Sequence, residues 1–262
     1  VKIGIFDSGL GGLSVARAIR ARLPQYDYLY LSDVKRVPYG GRSQEAIHEF
    51  TVQALDYLFS HECRIVILAC NTASAEALRR SQQQFLPARY PERRVLGVTI
   101  PCAEDAARYA RIAVIGTRAT VLSGVYPREI QTRNPSARVF QMATPLLVPL
   151  LENDGEKYLD AVLGDYLDAL PEAEALVLGC THYGVLADRV RRLGSWELIR
   201  AEDSVPAKLA DYLDRHPEHE SALSKGASFQ AVATDLPPAY EELAARFFGE
   251  TIALEKVDLC GT

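Results

Sequence analysis

Short apolar runs alternate with amphipathic stretches almost from the first residue, and the alternation predicts strand then helix, repeated. Lys2–Phe6 is predicted as a strand. Gly11–Arg22 carries Leu13, Ala16, Ala18 and Ile19 at helical spacing and is stopped by Pro24. Tyr28–Leu31 is a second strand, and Gln44–Phe59 a helix with Ile47, Phe50, Ala54, Leu55 and Leu58 on one side. Arg64–Ala69 is a third strand, followed by a helix over Thr72–Gln84 that is expected to end before Pro87. Val95–Val98 and Ala103–Tyr109 make the next strand and helix.

The pattern then restarts. Arg111–Thr117 resembles Lys2–Ser8 at an offset of 109 positions, and Cys180 lies 110 positions after Cys70. Both cysteines follow short apolar runs, Ile65–Ala69 and Ala175–Gly179, that read as buried strands of a parallel sheet. Two landmarks with nearly one offset indicate a duplicated βα unit. The expected fold class is α/β, with two similar domains, mostly parallel central sheets flanked by helices, and the active site in the cleft between them. From about Ser204 the chain is predicted to form a helix (Val205–Leu213), a charged loop (Asp214–Lys225), a strand (Phe229–Thr234), a helix (Ala239–Phe248) and a last strand (Thr251–Val257). This stretch has no counterpart after the first unit. Residues 1–97 with 206–262 are therefore expected as one domain, and 98–205 as the other.

Composition narrows the class. Across 262 residues, 48% are hydrophobic and 24% charged, as in ordinary globular chains. A formal charge of −5 gives no support to a general nucleic-acid surface, and no apolar run reaches membrane-spanning length. Val1–Asp7 enters a strand without a signal-peptide layout, which points to the cytoplasm. Five cysteines without CxxC spacing argue against a disulfide framework and a structural zinc site. Cys63, Cys102 and Cys260 read as small buried hydrophobes.

Cys70 and Cys180 stand apart because strand ends in such sheets border the ligand crevice. Their default role is packing; paired, they suggest an acid and a base facing each other. Asn71-Thr72 and Thr181-His182 read as caps of the helices that follow, so each thiol is expected near a helix dipole that lowers its pKa from about 8.5 toward neutrality. Asp7-Ser8-Gly9-Leu10-Gly11-Gly12 puts a carboxylate beside a glycine loop that exposes N–H groups, without the GxGxxG or Walker pattern of nucleotide sites. Val37-Pro38-Tyr39-Gly40-Gly41 is a second such loop. His182 alone is equally a surface histidine, and Glu152, close to Asp154 and Glu156, equally a solvated charge run.

Six segments, in order, resemble the glutamate racemases of the aspartate/glutamate racemase superfamily. They are Asp7–Gly12, Val37–Gly40, Ala69–Ser74, Gly116–Thr120, Pro145–Leu150 and Gly179–Tyr183, and Glu255–Leu259 resembles the C-terminus. The resemblance implies interconversion of L- and D-glutamate for peptidoglycan, by moving one proton at Cα without a cofactor or metal. It implies that Cys70 takes the proton from D-glutamate and Cys180 from L-glutamate, assisted by Asp7 and His182 respectively, with Glu152 near the second thiol. Ser8, Pro38, Tyr39, Gly40, Asn71, Thr72, Thr117, Thr120 and Thr181 are the implied substrate contacts. A homodimer with no membrane or nucleic-acid partner is expected. The chain departs from the family pattern at Val34 and at Gly184, where proline is common and whose presence is expected to loosen the helix start beside His182. Competing readings are an aspartate racemase, a cysteine-nucleophile hydrolase and a binding protein without catalysis; a hydrolase needs one thiol in a Cys–His–acid array, whereas this chain has two in equivalent places.

Overall fold

The computed structural model describes residues 1–238 and 240–259. Cys260 and Ala239, the predicted first residue of a helix, lie outside the described residues. The first part of the chain runs β1 (Lys2–Asp7), α1 (Gly12–Arg22), β2 (Tyr28–Ser32), α2 (Gln44–Ser60), β3 (Cys63–Leu68) and α3 (Asn71–Glu76). Short helices α4 (Leu78–Arg80) and α5 (Leu86–Arg89) lead to β4 (Arg94–Gly97) and α6 (Thr99–Ala106). The second part runs β5 (Arg111–Gly116), α7 (Arg118–Leu122), α8 (Val125–Arg133), β6 (Arg138–Ala143), α9 (Leu147–Glu152) and α10 (Glu156–Asp168). It continues through β7 (Ala175–Gly179), α11 (Ala187–Leu193) and β8 (Glu197–Ile199). Then follow α12 (Ala201–Arg215), α13 (Pro217–Glu220), β9 (Phe229–Ala233), α14 (Tyr240–Phe248) and β10 (Leu254–Lys256).

Both sheets are wholly parallel among the described strands, as the buried apolar runs predict. The six-stranded sheet has the order β10-β9-β2-β1-β3-β4, and the four-stranded sheet β6-β5-β7-β8. β2-β1-β3-β4 and β6-β5-β7-β8 are one topology used twice, so β1 corresponds to β5 and β3 to β7. β9 and β10 extend the first sheet beyond β2.

Several element ends differ from expectation. The helical path after Cys70 does not stop before Pro87: a π-helical turn at Ser81–Phe85 carries it into α5, with Pro87 near that helix's start. The wider turn makes room for the ring, which in a regular helix presses on the carbonyl four residues earlier. α6 starts at Thr99 rather than Ala103, since Pro101 falls in a first turn whose N–H groups lack intrahelical partners anyway. The predicted loop at 214–225 contains α13, and the last strand is the three residues of β10.

One apolar core joins the two sheets. Leu13 and Ile19 of α1, Val205 and Leu209 of α12, Tyr126 and Ile130 of α8, and Ile112 and Val114 of β5 belong to a single buried cluster. Two smaller cores cover the outer faces, under α2 on the first sheet and α10 on the second. Among the described residues no helix is long and apolar enough to cross a membrane.

Candidate active site

In each sheet the chain reverses its direction of growth beside the central strand, and the crevice at such a switch point lies beyond the strands' carboxyl ends. β1 and β3 deliver Asp7-Ser8 and Cys70 to the first crevice. β5 and β7 deliver Thr117 and Cys180 to the second. The crevices open into one cavity of about 270 Å³ lined by both thiols. Ser8, Pro38, Tyr39, Gly40, Asn71, Thr72, Thr117, Glu152, Thr181 and His182 also line it. Asp7 and Thr120 lie fully buried beneath this wall.

Cys70 performs the capping expected of its neighbours: it is the N-cap of α3, and its sulfur accepts from the Ala73 N–H at 3.5 Å. Ser8 Oγ lies 3.2 Å from the same sulfur. No hydrogen bond joins Asp7 to Cys70. Its carboxylate accepts from the N–H groups of Gly9 and Gly12 at 3.2 and 3.0 Å, and from the Thr181 hydroxyl at 3.4 Å. Burial also pushes the Asp7 carboxyl above its usual range, against the pull of His182 and the N–H donors. The expected lowering of the Cys70 pKa is not what the surroundings produce. Burial, reinforced by the nearby Asp7 charge, pushes this thiol up to about 12, outweighing the Ser8 and Ala73 bonds. A six-residue helix has too weak a dipole to offset full desolvation.

The second thiol has different company. Cys180 precedes a 3₁₀ turn, Thr181–Leu186, rather than an α-helix, and its side chain caps nothing. His182 Nδ1 lies 3.8 Å from Cys180 Sγ, while Nε2 lies 2.8 Å from Glu152 Oε1. Burial alone depresses an imidazole, but bonds to Cys180 and Glu152 prevail and hold His182 well above its ordinary value. Phe247 meets the His182 ring edge-on at 5.2 Å between centroids. Glu152 closes α9 and turns inward with its side chain 19% exposed, unlike a solvated charge. Its neighbour Glu156 does face solvent, pairing with Arg189 and Arg246.

Hydroxyl groups bind the two walls together. Thr72 Oγ1 reaches Thr117 Oγ1 at 2.9 Å and Thr120 Oγ1 at 3.4 Å, and the latter two lie 3.0 Å apart. Gly11 permits the close approach: a Cβ there would stand 2.6 Å from Thr181 Oγ1 and 2.7 Å from the His182 nitrogen. Tyr39 borders the cavity, yet its hydroxyl donates to Asp33, which also accepts from Arg36 at 2.6 Å and Thr234 at 3.0 Å. The Val37–Pro38 peptide is cis. At Gly184 a Cβ would come within 2.4 Å of the Glu202 carboxylate that packs against it.

Sequence reasoning missed Asp33 and Thr144. Asp33 follows β2 much as Asp7 ends β1, a positional signal that the motifs overshadowed. Thr144 lines the cavity and meets the Tyr183 hydroxyl at 2.8 Å, one residue before the Pro145–Leu150 segment. Among the described residues no group of three or more His, Cys, Asp or Glu could hold a metal ion.

The family model described as Asp/Glu/hydantoin racemase matches residues 13–207. A glutamate racemase of Phenylobacterium zucineum is 36% identical, over 97% of this chain and 99% of that protein. Among solved structures, the Francisella tularensis glutamate racemase in complex with D-glutamate superposes with a TM-score of 0.89 at 27% identity, covering 100% of this chain and 98% of that one. The Thermus thermophilus glutamate racemase in complex with beta-chloro-D-alanine gives 0.84 at 33% identity, with coverages of 99% and 97%. The chain belongs to the Asp/Glu/hydantoin racemase family, among its glutamate racemases.

Proposed function

We propose that this chain interconverts L- and D-glutamate by a two-base transfer at Cα, with Cys70 and Cys180 on opposite faces of the substrate. The observation that carries the reading is the pair of thiols, brought by corresponding strands of a duplicated fold to one cavity. With L-glutamate, a Cys180 thiolate takes the Cα proton, and the electron pair stays on Cα and its carboxylate. The Cys70 thiol then gives its proton to the other face, yielding D-glutamate, a Cys70 thiolate and a Cys180 thiol. The D-to-L reaction reverses each transfer. Racemisation needs its two groups in opposite protonation states, and the surroundings of the thiols favour that division. Burial keeps Cys70 a thiol near neutral pH, while His182 places positive charge 3.8 Å from Cys180.

Asp7 acts on Cys70 through its field, and through Thr181 it joins the two walls. Glu152 orients His182. Ser8, Pro38, Tyr39, Gly40, Asn71, Thr72, Thr117 and Thr181 surround the substrate, with Thr120 supporting Thr72 and Thr117. Because the Cα proton is weakly acidic, donors fixed in a closed cavity must stabilise the carbanion-like state. No cofactor is needed for this scheme. The product D-glutamate would supply peptidoglycan synthesis in the cytoplasm, from a homodimer whose domains comprise 1–97 with 206–262, and 98–205.

Racemisation of glutamate and of aspartate in deuterated water tests the reading. Glutamate should be strongly preferred, and the newly formed enantiomer should carry deuterium at Cα. Cys70→Ser and Cys180→Ser should each lower turnover about a thousandfold or more without changing the fold. Substantial activity in either variant rules out two bases; a strong preference for aspartate overturns the substrate.

A further inference from the structure

Tyr126 lies at the start of α8, on the second sheet's side, and is fully buried. Its hydroxyl donates to Asn71 Oδ1 at 2.7 Å, across to α3 on the first sheet's side. Asn71 is 3% exposed and lines the cavity. Its Nδ2 is buried and has no hydrogen-bond partner in the chain. A buried amide N–H₂ left unpaired at a cavity wall costs free energy unless something entering the cavity accepts from it.

We infer that Tyr126 is a positioning residue for the proposed racemisation: by holding Asn71 Oδ1 it keeps Nδ2 presented to the cavity as a donor for a substrate carboxylate. The opposite amide orientation would point an acceptor oxygen at that carboxylate and repel it. One buried bond between the two walls thus sets the sign of the partial charge that the anionic substrate meets. The inference rests on the glutamate reading of the same site.

Steady-state kinetics with both glutamate enantiomers test it on four proteins: the parent, Tyr126→Phe, Asn71→Ala and the double variant. Tyr126→Phe should raise KM about tenfold, with kcat changed less than about threefold, because the donor serves ground state and transition state alike. In the Asn71→Ala background the same change should alter KM less than about twofold, since the group through which Tyr126 acts is gone. A purely structural role predicts similar losses in both backgrounds, and that result overturns the inference, as does a fall in kcat at unchanged KM. If Tyr126→Phe does not fold, Asn71→Asp takes its place: it keeps an acceptor for Tyr126 and loses the donor. Its KM should rise at least tenfold at an unchanged melting temperature, and a parental KM overturns the inference. A parent enzyme that racemises no glutamate overturns the functional reading and the inference together; a racemising parent isolates the inference.

Discussion

At the residue scale, the informative contrast is between the two thiols' neighbours. Cys70 has a serine hydroxyl and a buried carboxyl nearby, whereas Cys180 has an imidazole held by a glutamate. Glu152→Gln therefore has a directional consequence. Burial, the largest influence on His182, lowers its pKa, and Glu152 is one of the groups opposing it. Losing that charge lowers the pKa, so His182 sheds its proton at lower pH than in the parent. The high-pH limb of kcat/KM should move to lower pH in Glu152→Gln, a shift that pH–rate profiles measure directly. Both enantiomers must show the same displacement, because the equilibrium constant of a racemisation is one. An unmoved limb would show that Glu152 does not hold the imidazolium. The sequence displayed both cysteines, His182 and Asp7 in recognisable segments. Glu152 was implied by the family resemblance alone, since a carboxylate near Asp154 and Glu156 reads locally as a solvated run; the contact with His182 appears only once α9 turns it inward.

At the scale of elements, β3 shows how one strand carries two kinds of cysteine. Cys63 begins it, fully buried beside Gly4, and Cys70 follows its end at the cavity. Burial pushes Cys63, Cys70 and also Cys102 of α6 up to about 12, well above an ordinary thiol. A folded-state pKa above the unfolded value adds stability that is complete below the unfolded pKa. That stability is lost as pH rises through the folded one. Denaturation midpoints should thus fall from about pH 9 upward, by about 1.4 kcal/mol per pH unit for each buried thiol. Cys63→Ala should make the decline shallower than in the parent, whatever it costs at pH 7. Identical slopes would mean that Cys63 titrates alike in both states. Strand and helix positions were legible because apolar periodicity is local. The π-turn before Pro87 and the 3₁₀ turn after Cys180 were not, as they are fitted to surroundings distant in sequence.

For the whole molecule, the decisive feature is the core common to both sheets. α1 and α12 pack together, and their apolar residues join those of α8 and β5 in one cluster. Halves that share a core this way should unfold together. Calorimetry should give a single transition whose calorimetric and van't Hoff enthalpies agree, and two resolved transitions would refute the coupling. Besides that core, the hydroxyl contacts of Thr72 with Thr117 and Thr120 tie the two walls together.

Hydrophobic periodicity, glycine loops and the repeated thiol spacing were enough to define two parallel α/β units with Cys70 and Cys180 at equivalent strand ends. These properties depend on neighbours along the chain, and a linear sequence records such neighbours directly. Only the tertiary structure decided that Thr181 meets Asp7, that Glu152 meets His182, that Tyr126 meets Asn71, and that burial raises the pKa of Cys70. Those outcomes depend on contacts between residues far apart in sequence and on the water that burial removes, and neither is written in local order.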